Sequence, residues 1–193
     1  MIRAVITDCF GIFYTDPVSV YRHDSVTPLH TVLALADIHE RAANGEIGRE
    51  AYIERASRLL GQSPDQVLAQ FFGNAGRDDK ALAYIGSLRP VYKTILLSNA
   101  GAGMVEARFS PEELQQYFDK TVLSYLLGAA KPDPAVYSWV CEQLSLRPDE
   151  VIAIDDNSDN CDAARAVGMR VVQYHDFEQT RAAVDALLEV KES

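Results

Sequence analysis

The stretch that most constrains this chain is its first. Ile2-Arg3-Ala4-Val5-Ile6-Thr7 runs straight into Asp8-Cys9-Phe10-Gly11. A short, mostly apolar, β-branched run suits a strand buried on both faces in the middle of a sheet. It ends abruptly in a carboxylate. In open α/β sheets, ligands bind outside the carboxyl ends of the strands. Asp8 therefore either opens a reactive site or merely caps a loop, and Gly11 lets the backbone turn away behind it.

The later sequence predicts a sheet around this strand. Residues 91–97 read as a strand ending in Ser98-Asn99, 120–125 as another, 151–154 as one ending in Asp155-Asp156, and 170–174 as the last. Helices fall between them. One is opened by the capping box Ser110-Pro111-Glu112-Glu113, one runs from Asp133-Pro134 to about 144, one is stopped by Gly168, and one covers about 177–190. Strands alternating with helices imply a parallel sheet with helices on both faces, a three-layer Rossmann-like α/β core.

Residues 16–83 interrupt that alternation. Residues 13–27 read as irregular, with Asp16-Pro17 as a breaker. Thr27 is expected to cap a helix beginning at Pro28, whose stripe is Leu29, Val32, Leu33, Leu35 and Ala36, and which stops at Asn44-Gly45. Further helices are expected over 49–60, from the capping box Ser63-Pro64-Asp65-Gln66 onward, and over 78–88. The expected division is a core of residues 1–15 and 84–193, with an all-helical insertion at 16–83 placed to cover the sheet edge that holds Asp8.

Composition excludes several classes. At 193 residues the chain suffices for one core with a small insertion. Its net charge of −10 argues against nonspecific nucleic-acid binding. No apolar stretch is long enough to cross a bilayer, and the N-terminus lacks a signal-peptide pattern. Cys9, Cys141 and Cys161 are odd in number and widely spaced, which fits a reducing cytoplasm.

The strand ends carry the chemistry. Asp8, Ser98-Asn99 and Asp155-Asp156 meet along one edge of a parallel sheet. Carboxylates gathered there repel one another unless a cation balances them, and hard oxygen ligands with room for water favour Mg²⁺. Lys131 precedes Pro132, and Asp133 caps the next helix, so the lysine is held at that helix start on the same edge.

This ordered set resembles the haloacid dehalogenase superfamily of hydrolases, in its subgroup with a small helical cap. Asp8-Cys9-Phe10-Gly11-Ile12-Phe13, Leu96-Leu97-Ser98-Asn99-Ala100, Lys131-Pro132-Asp133-Pro134 and Ile154-Asp155-Asp156-Asn157-Ser158-Asp159-Asn160 match its four motifs. The resemblance implies that Asp8 is a nucleophile forming an aspartyl intermediate. It implies that Ser98, Asn99 and Lys131 bind a phosphoryl group. It places Mg²⁺ on Asp8, the backbone carbonyl of Phe10, Asp155 and Asp156, with Asn160 behind them. The expected activity is Mg²⁺-dependent hydrolysis of small phosphorylated metabolites, with no nucleic-acid or membrane partner; the oligomeric state is not legible.

One position departs from the pattern. The family's phosphatases carry a second aspartate two residues after the nucleophile, which protonates the leaving group and then activates water. Here that residue is Phe10. The dehalogenase branch also has an aromatic there but lacks the paired acids that this chain keeps. Three readings follow: a slow phosphatase, a 2-haloacid dehalogenase using Arg22 or Arg41 for the halide, or a catalytically impaired binding protein. Tyr14, Asp16, His23 or a residue of the helical insertion are candidates for a substitute acid. Cys9 is expected to pack rather than react, and Tyr137, Trp139 and Val140 to form a core stripe.

Overall fold

In the computed structural model, which describes residues 1–74 and 76–189, five parallel strands form one sheet. They are β1 (Ala4–Thr7), β2 (Lys93–Ser98), β3 (Lys120–Leu123), β4 (Val151–Asp155) and β5 (Arg170–Gln173), in the order β3-β2-β1-β4-β5. The central β1 is wholly buried, which its uninterrupted apolar run requires. Thr7 stands opposite Leu96 on one side and Ile154 on the other, so the ends of β1, β2 and β4 are level. The Asp8 amide continues the ladder by donating to the Ile154 carbonyl at 3.0 Å.

Alternate residues supply two cores. Ala4, Ile6, Ile95, Leu97, Val122 and Ala153 meet Val136, Tyr137 and Val140 of α8 (Pro134–Leu144) and Ala164 of α9 (Ser158–Val167). Val5, Leu96, Ile152 and Ile154 meet Leu82 and Ile85 of α5 (Asp79–Leu88) and Val184 of α10 (Phe177–Glu189). Each fully buried Leu, Ile or Val stabilises the fold by about 1.5–3 kcal/mol. Two short helices, α6 (Pro111–Tyr117) and α7 (Ser124–Leu127), complete the connections.

Between β1 and α5 lie α1 (Pro17–His23), α2 (Leu29–Ala43), α3 (Arg49–Leu60) and α4 (Pro64–Phe71), packed each on the next. Leu35, Tyr52, Ala56, Val67 and Phe71 fill their centre. Helix α5 itself lies on the sheet side, against β2, α6 and α10.

Several expectations are corrected. Asp16-Pro17 does not break structure but starts α1: the Asp16 carboxylate accepts from the Val18 and Ser19 amides, with Pro17 in the first turn. Thr27 does not cap α2, because its hydroxyl is spent on Asp24 at 2.6 Å; the N-cap is Pro28. The inward face of α2 is Val32, Leu35 and Ala42, whereas Leu29 and Leu33 are 71% and 62% exposed. Residues 124–127 form a helical turn rather than a strand end, and Val91 precedes β2 as an exposed residue. The last residue of the predicted 177–190 helix lies outside the described residues. Among those described, no helix is long and apolar enough to cross a membrane.

Candidate active site

The aligned strand ends bring the predicted site residues together. Asp8, Asp155 and Asp156 each present a carboxylate oxygen within 4.8 Å of the others. Buried Lys131 lies between two of them, its Nζ 3.0 Å from Asp8 Oδ1 and 2.6 Å from Asp155 Oδ2. Asn99, which follows β2, holds this lysine by its backbone. Its Nδ2 donates to the Lys131 carbonyl at 2.6 Å, and its Oδ1 accepts the Lys131 amide at 2.9 Å. The side chain of Asn99 is therefore a clamp on the lysine.

The loop after β4 divides its two acids. Asp155 is buried, and its Oδ1 accepts from the Asn157 amide at 3.0 Å and from Asn160 Nδ2 at 2.9 Å. Asn157 in turn caps α9, which fixes that turn. Asp156 points outward over Gly11. A methyl group added to Gly11 would come 2.1 Å from Asp156 Oδ2, and the glycine has φ +84°, so a side chain is excluded there on both counts. At the end of β2, the Ser98 hydroxyl is fully buried and has no hydrogen-bond partner among the described residues. A buried, unpaired hydroxyl is costly unless a ligand completes it.

The electrostatics are set by burial and by like charge. Desolvation, with Asp155 and Asp156 nearby, raises Asp8 to about 7 against the opposing pull of Lys131. Burial and Asp155 raise Asp156 to about 6. The Lys131 ammonium is held above its ordinary value because Asp155 and Asp8 outweigh its burial. Three carboxyl groups face one ammonium, so with all three ionised the cluster carries two negative charges in excess. That donor set fits a hard divalent cation. Buried Cys9 has its thiol pushed up by desolvation and by Asp8, as a packing residue should.

These groups open onto a cleft of about 1230 Å³ whose far wall is the α1–α2 pair, with Asp16, Arg22, His23 and His39 facing Asp8, Asn99, Lys131 and Asp156. Phe10, after β1, lines the same cleft, with the guanidinium of Arg108 4.8 Å from its ring centre. Sequence reasoning missed Arg108. It is 3% exposed, and its Nη1 donates to the carbonyls of Phe71 and Met104 at 3.0 and 2.9 Å. Nothing local in Ala107-Arg108-Phe109 announces this, since the Phe71 carbonyl is 37 residues away in sequence.

The candidate acids separate. The Tyr14 hydroxyl is buried, donates to the Arg108 carbonyl at 2.8 Å and accepts from Arg77 at 3.2 Å, away from the cleft. Asp16 lines the cleft but its oxygens cap α1. His23 is exposed, with Nδ1 2.8 Å from the Ser19 carbonyl. Of the two arginines, Arg22 lines the cleft, and Arg41 pairs with Glu46 at 3.2 Å.

The comparisons agree with this architecture. The chain is 26% identical over 162 residues, 78% of each chain, to D-ribitol-5-phosphate phosphatase of Bacteroides thetaiotaomicron. It is 27% identical to the phosphorylated carbohydrates phosphatase of Thermotoga maritima, covering 95% of this chain and 91% of that one. The structure of a HAD-like family hydrolase from Porphyromonas gingivalis superposes with a TM-score of 0.80 at 24% identity, covering 99% of this chain and 100% of the other. A model of the haloacid dehalogenase-like hydrolases matches residues 20–168. With that match spanning most of the sequence, on a five-stranded parallel sheet whose strand ends gather the motif residues, the chain belongs to the haloacid dehalogenase-like hydrolases.

Proposed function

We propose that the protein is a Mg²⁺-dependent phosphatase of small phosphorylated metabolites, working through an aspartyl-phosphate at Asp8. The observation that carries this reading is the cluster of Asp8, Asp155 and Asp156 with a single buried lysine. Nucleophile, cation ligands and a balancing ammonium are provided for together, and the unpaired Ser98 hydroxyl at the end of β2 is free to donate. The names of the two relatives support the substrate class.

In this reading the α1–α4 helices, within the stretch 16–83, act as a cap that closes the cleft over the substrate. Asp8 attacks phosphorus as the ester P–O bond breaks, leaving an acyl phosphate and an alcohol. Lys131 holds Asp8 and faces the transferring oxygens, and Ser98 donates to one of them. Asp8, the Phe10 carbonyl and Asp156 would hold Mg²⁺, with Asp155 held behind by Lys131, Asn157 and Asn160. When bound, the ion supplies charge neutralisation at the phosphoryl oxygens, where catalysis of this transfer mainly acts. A halide leaving group is disfavoured, because the acid cluster repels an anion unless a cation is bound.

The test is hydrolysis of p-nitrophenyl phosphate with and without Mg²⁺, beside Asp8→Asn. The expected result is Mg²⁺-dependent release that the substitution abolishes. Release that survives Asp8→Asn, or chloride release from a 2-haloacid without metal, would overturn the reading.

A further inference from the structure

The reaction proposed above asks for a proton donor, and the position that would supply one is Phe10. Its ring is held under Arg108 and carries no exchangeable proton. Most polar groups lining the cleft are already committed elsewhere. Lys131 is committed to Asp8 and Asp155. Glu46 is paired with Arg41, and His23 is an exposed residue bonded back to its own helix. Asp16 is fixed by two amides at the start of α1.

His39 is different. It stands on α2, part-buried, in the cleft wall that faces Asp8 and Asn99. The Tyr52 ring of α3 meets it edge-on at 6.0 Å, and Nδ1 lies 3.5 Å from the Tyr52 hydroxyl. The ring also lies against the backbone carbonyl of Asn99, the residue that clamps Lys131 at the sheet edge, and these two contacts hold it in that wall. The charged and titratable groups around it are Asp16 before α1, Tyr52 on α3 and Arg108 after β2. Burial and Arg108 pull the imidazole below its ordinary value, while Asp16 and the Asn99 carbonyl oppose them. An arriving phosphate dianion adds to the opposing side and favours the charged ring.

We infer that His39 is the general acid and base of this enzyme, standing in from the helical cap for the carboxylate that Phe10 replaces. The inference rests on the phosphatase reading. As Asp8 attacks, the ester P–O bond breaks and the departing oxygen takes the proton of the His39 imidazolium. Alcohol, acyl phosphate and neutral imidazole remain. Water then attacks phosphorus, gives its proton to the imidazole, and releases phosphate and the Asp8 carboxylate.

The experiment compares 4-nitrophenyl phosphate with unsubstituted phenyl phosphate, which has the same shape but a poorer leaving group. The quantity read is kcat/KM, which ends at acyl-phosphate formation. His39→Gln is expected to lower it by about 10² or more for phenyl phosphate and by less than about tenfold for the nitrophenyl ester, because general-acid help follows the basicity of the leaving group. His39→Ala with added imidazole should recover phenyl phosphate turnover. The unsubstituted protein should show an alkaline fall of kcat/KM on phenyl phosphate that is absent with the nitrophenyl ester. Equal losses on both esters, or no loss on either, would overturn the role of His39 while leaving the phosphatase reading intact. Absence of Mg²⁺-dependent release from the unsubstituted protein would overturn both.

Discussion

Lys131→Met isolates the electrostatic heart of the site. The ammonium is almost fully buried, 2.6 Å from one carboxylate and 3.0 Å from another. Each contact is worth about 6 kcal/mol of gross attraction at an effective dielectric of about 20. Several kcal/mol of lysine desolvation offset this. Methionine keeps the volume and removes the charge, leaving Asp8 and Asp155 as buried carboxylates without their cation. Breaking a buried pair in this way costs about 3–5 kcal/mol. The cost depends on pH with a definite sign. Asp8 already sits above the ordinary carboxylate value, and losing Lys131 raises it further, so acid relieves the penalty by protonating it. Urea unfolding without metal, followed by fluorescence of the single Trp139 on α8, reads this directly. The expected loss is about 3–5 kcal/mol at pH 8, shrinking to about half at pH 5. A loss below about 1 kcal/mol at pH 8, or a larger loss at pH 5, would refute the charge argument.

Arg108→Met leaves the Phe71 and Met104 carbonyls without their donor and should cost about 2–4 kcal/mol in the same urea assay; an unchanged midpoint would contradict the role given to that buried cation. Gly11→Ala forces a methyl into Asp156 at a left-handed φ, so it should cost about 1–3 kcal/mol and weaken Mg²⁺ binding measured by calorimetry, whereas wild-type affinity would exclude a crowded metal loop. Asp8 at about 7 and Asp156 at about 6 mean that the folded state binds more protons than the unfolded one between about pH 4 and 7, so metal-free stability is highest in acid and falls as pH rises through those values. Mg²⁺ competes with those protons, so the Tm gain on adding it should be larger at pH 8 than at pH 5, and an equal gain at both would count against a carboxylate site.

Much of this molecule is legible in its sequence, for physical reasons that differ by region. The strands of the core are short, continuously apolar and bounded by polar residues, so β1, β2 and β4 and their level ends follow from pattern and parallel topology. The capping boxes at Ser63 and Ser110 close as written, because the signature is itself the hydrogen-bond pattern. Where the reading failed, a local signal was ambiguous. Asp16-Pro17 has the same cap-plus-proline form as Ser63-Pro64, yet only Val18 and Tyr21 behind it reach the core, too short a stripe to mark α1 as a helix. The face of α2 was misassigned because Leu29 and Leu33 are apolar and exposed, so periodicity alone picked too broad a stripe. At the candidate site, the residues at strand ends are legible and the contacts that join them through space are not. The Asn99 clamp on Lys131 spans 32 residues, and the Arg108 bond to Phe71 spans 37. His39 is one of four histidines whose spacing says nothing; it is distinguished by the fold, which sets α2 against the loop after β2.

The most direct test of the account is to catch the covalent state. The protein is mixed with p-nitrophenyl phosphate and Mg²⁺, quenched in acid within one turnover, and digested for mass spectrometry. The account predicts a peptide carrying one added HPO₃ group on Asp8, lost on treatment with hydroxylamine and absent from Asp8→Asn. Turnover with no such adduct, or an adduct on any other residue, would contradict the assignment of Asp8 as the nucleophile on which the whole reading of this site depends.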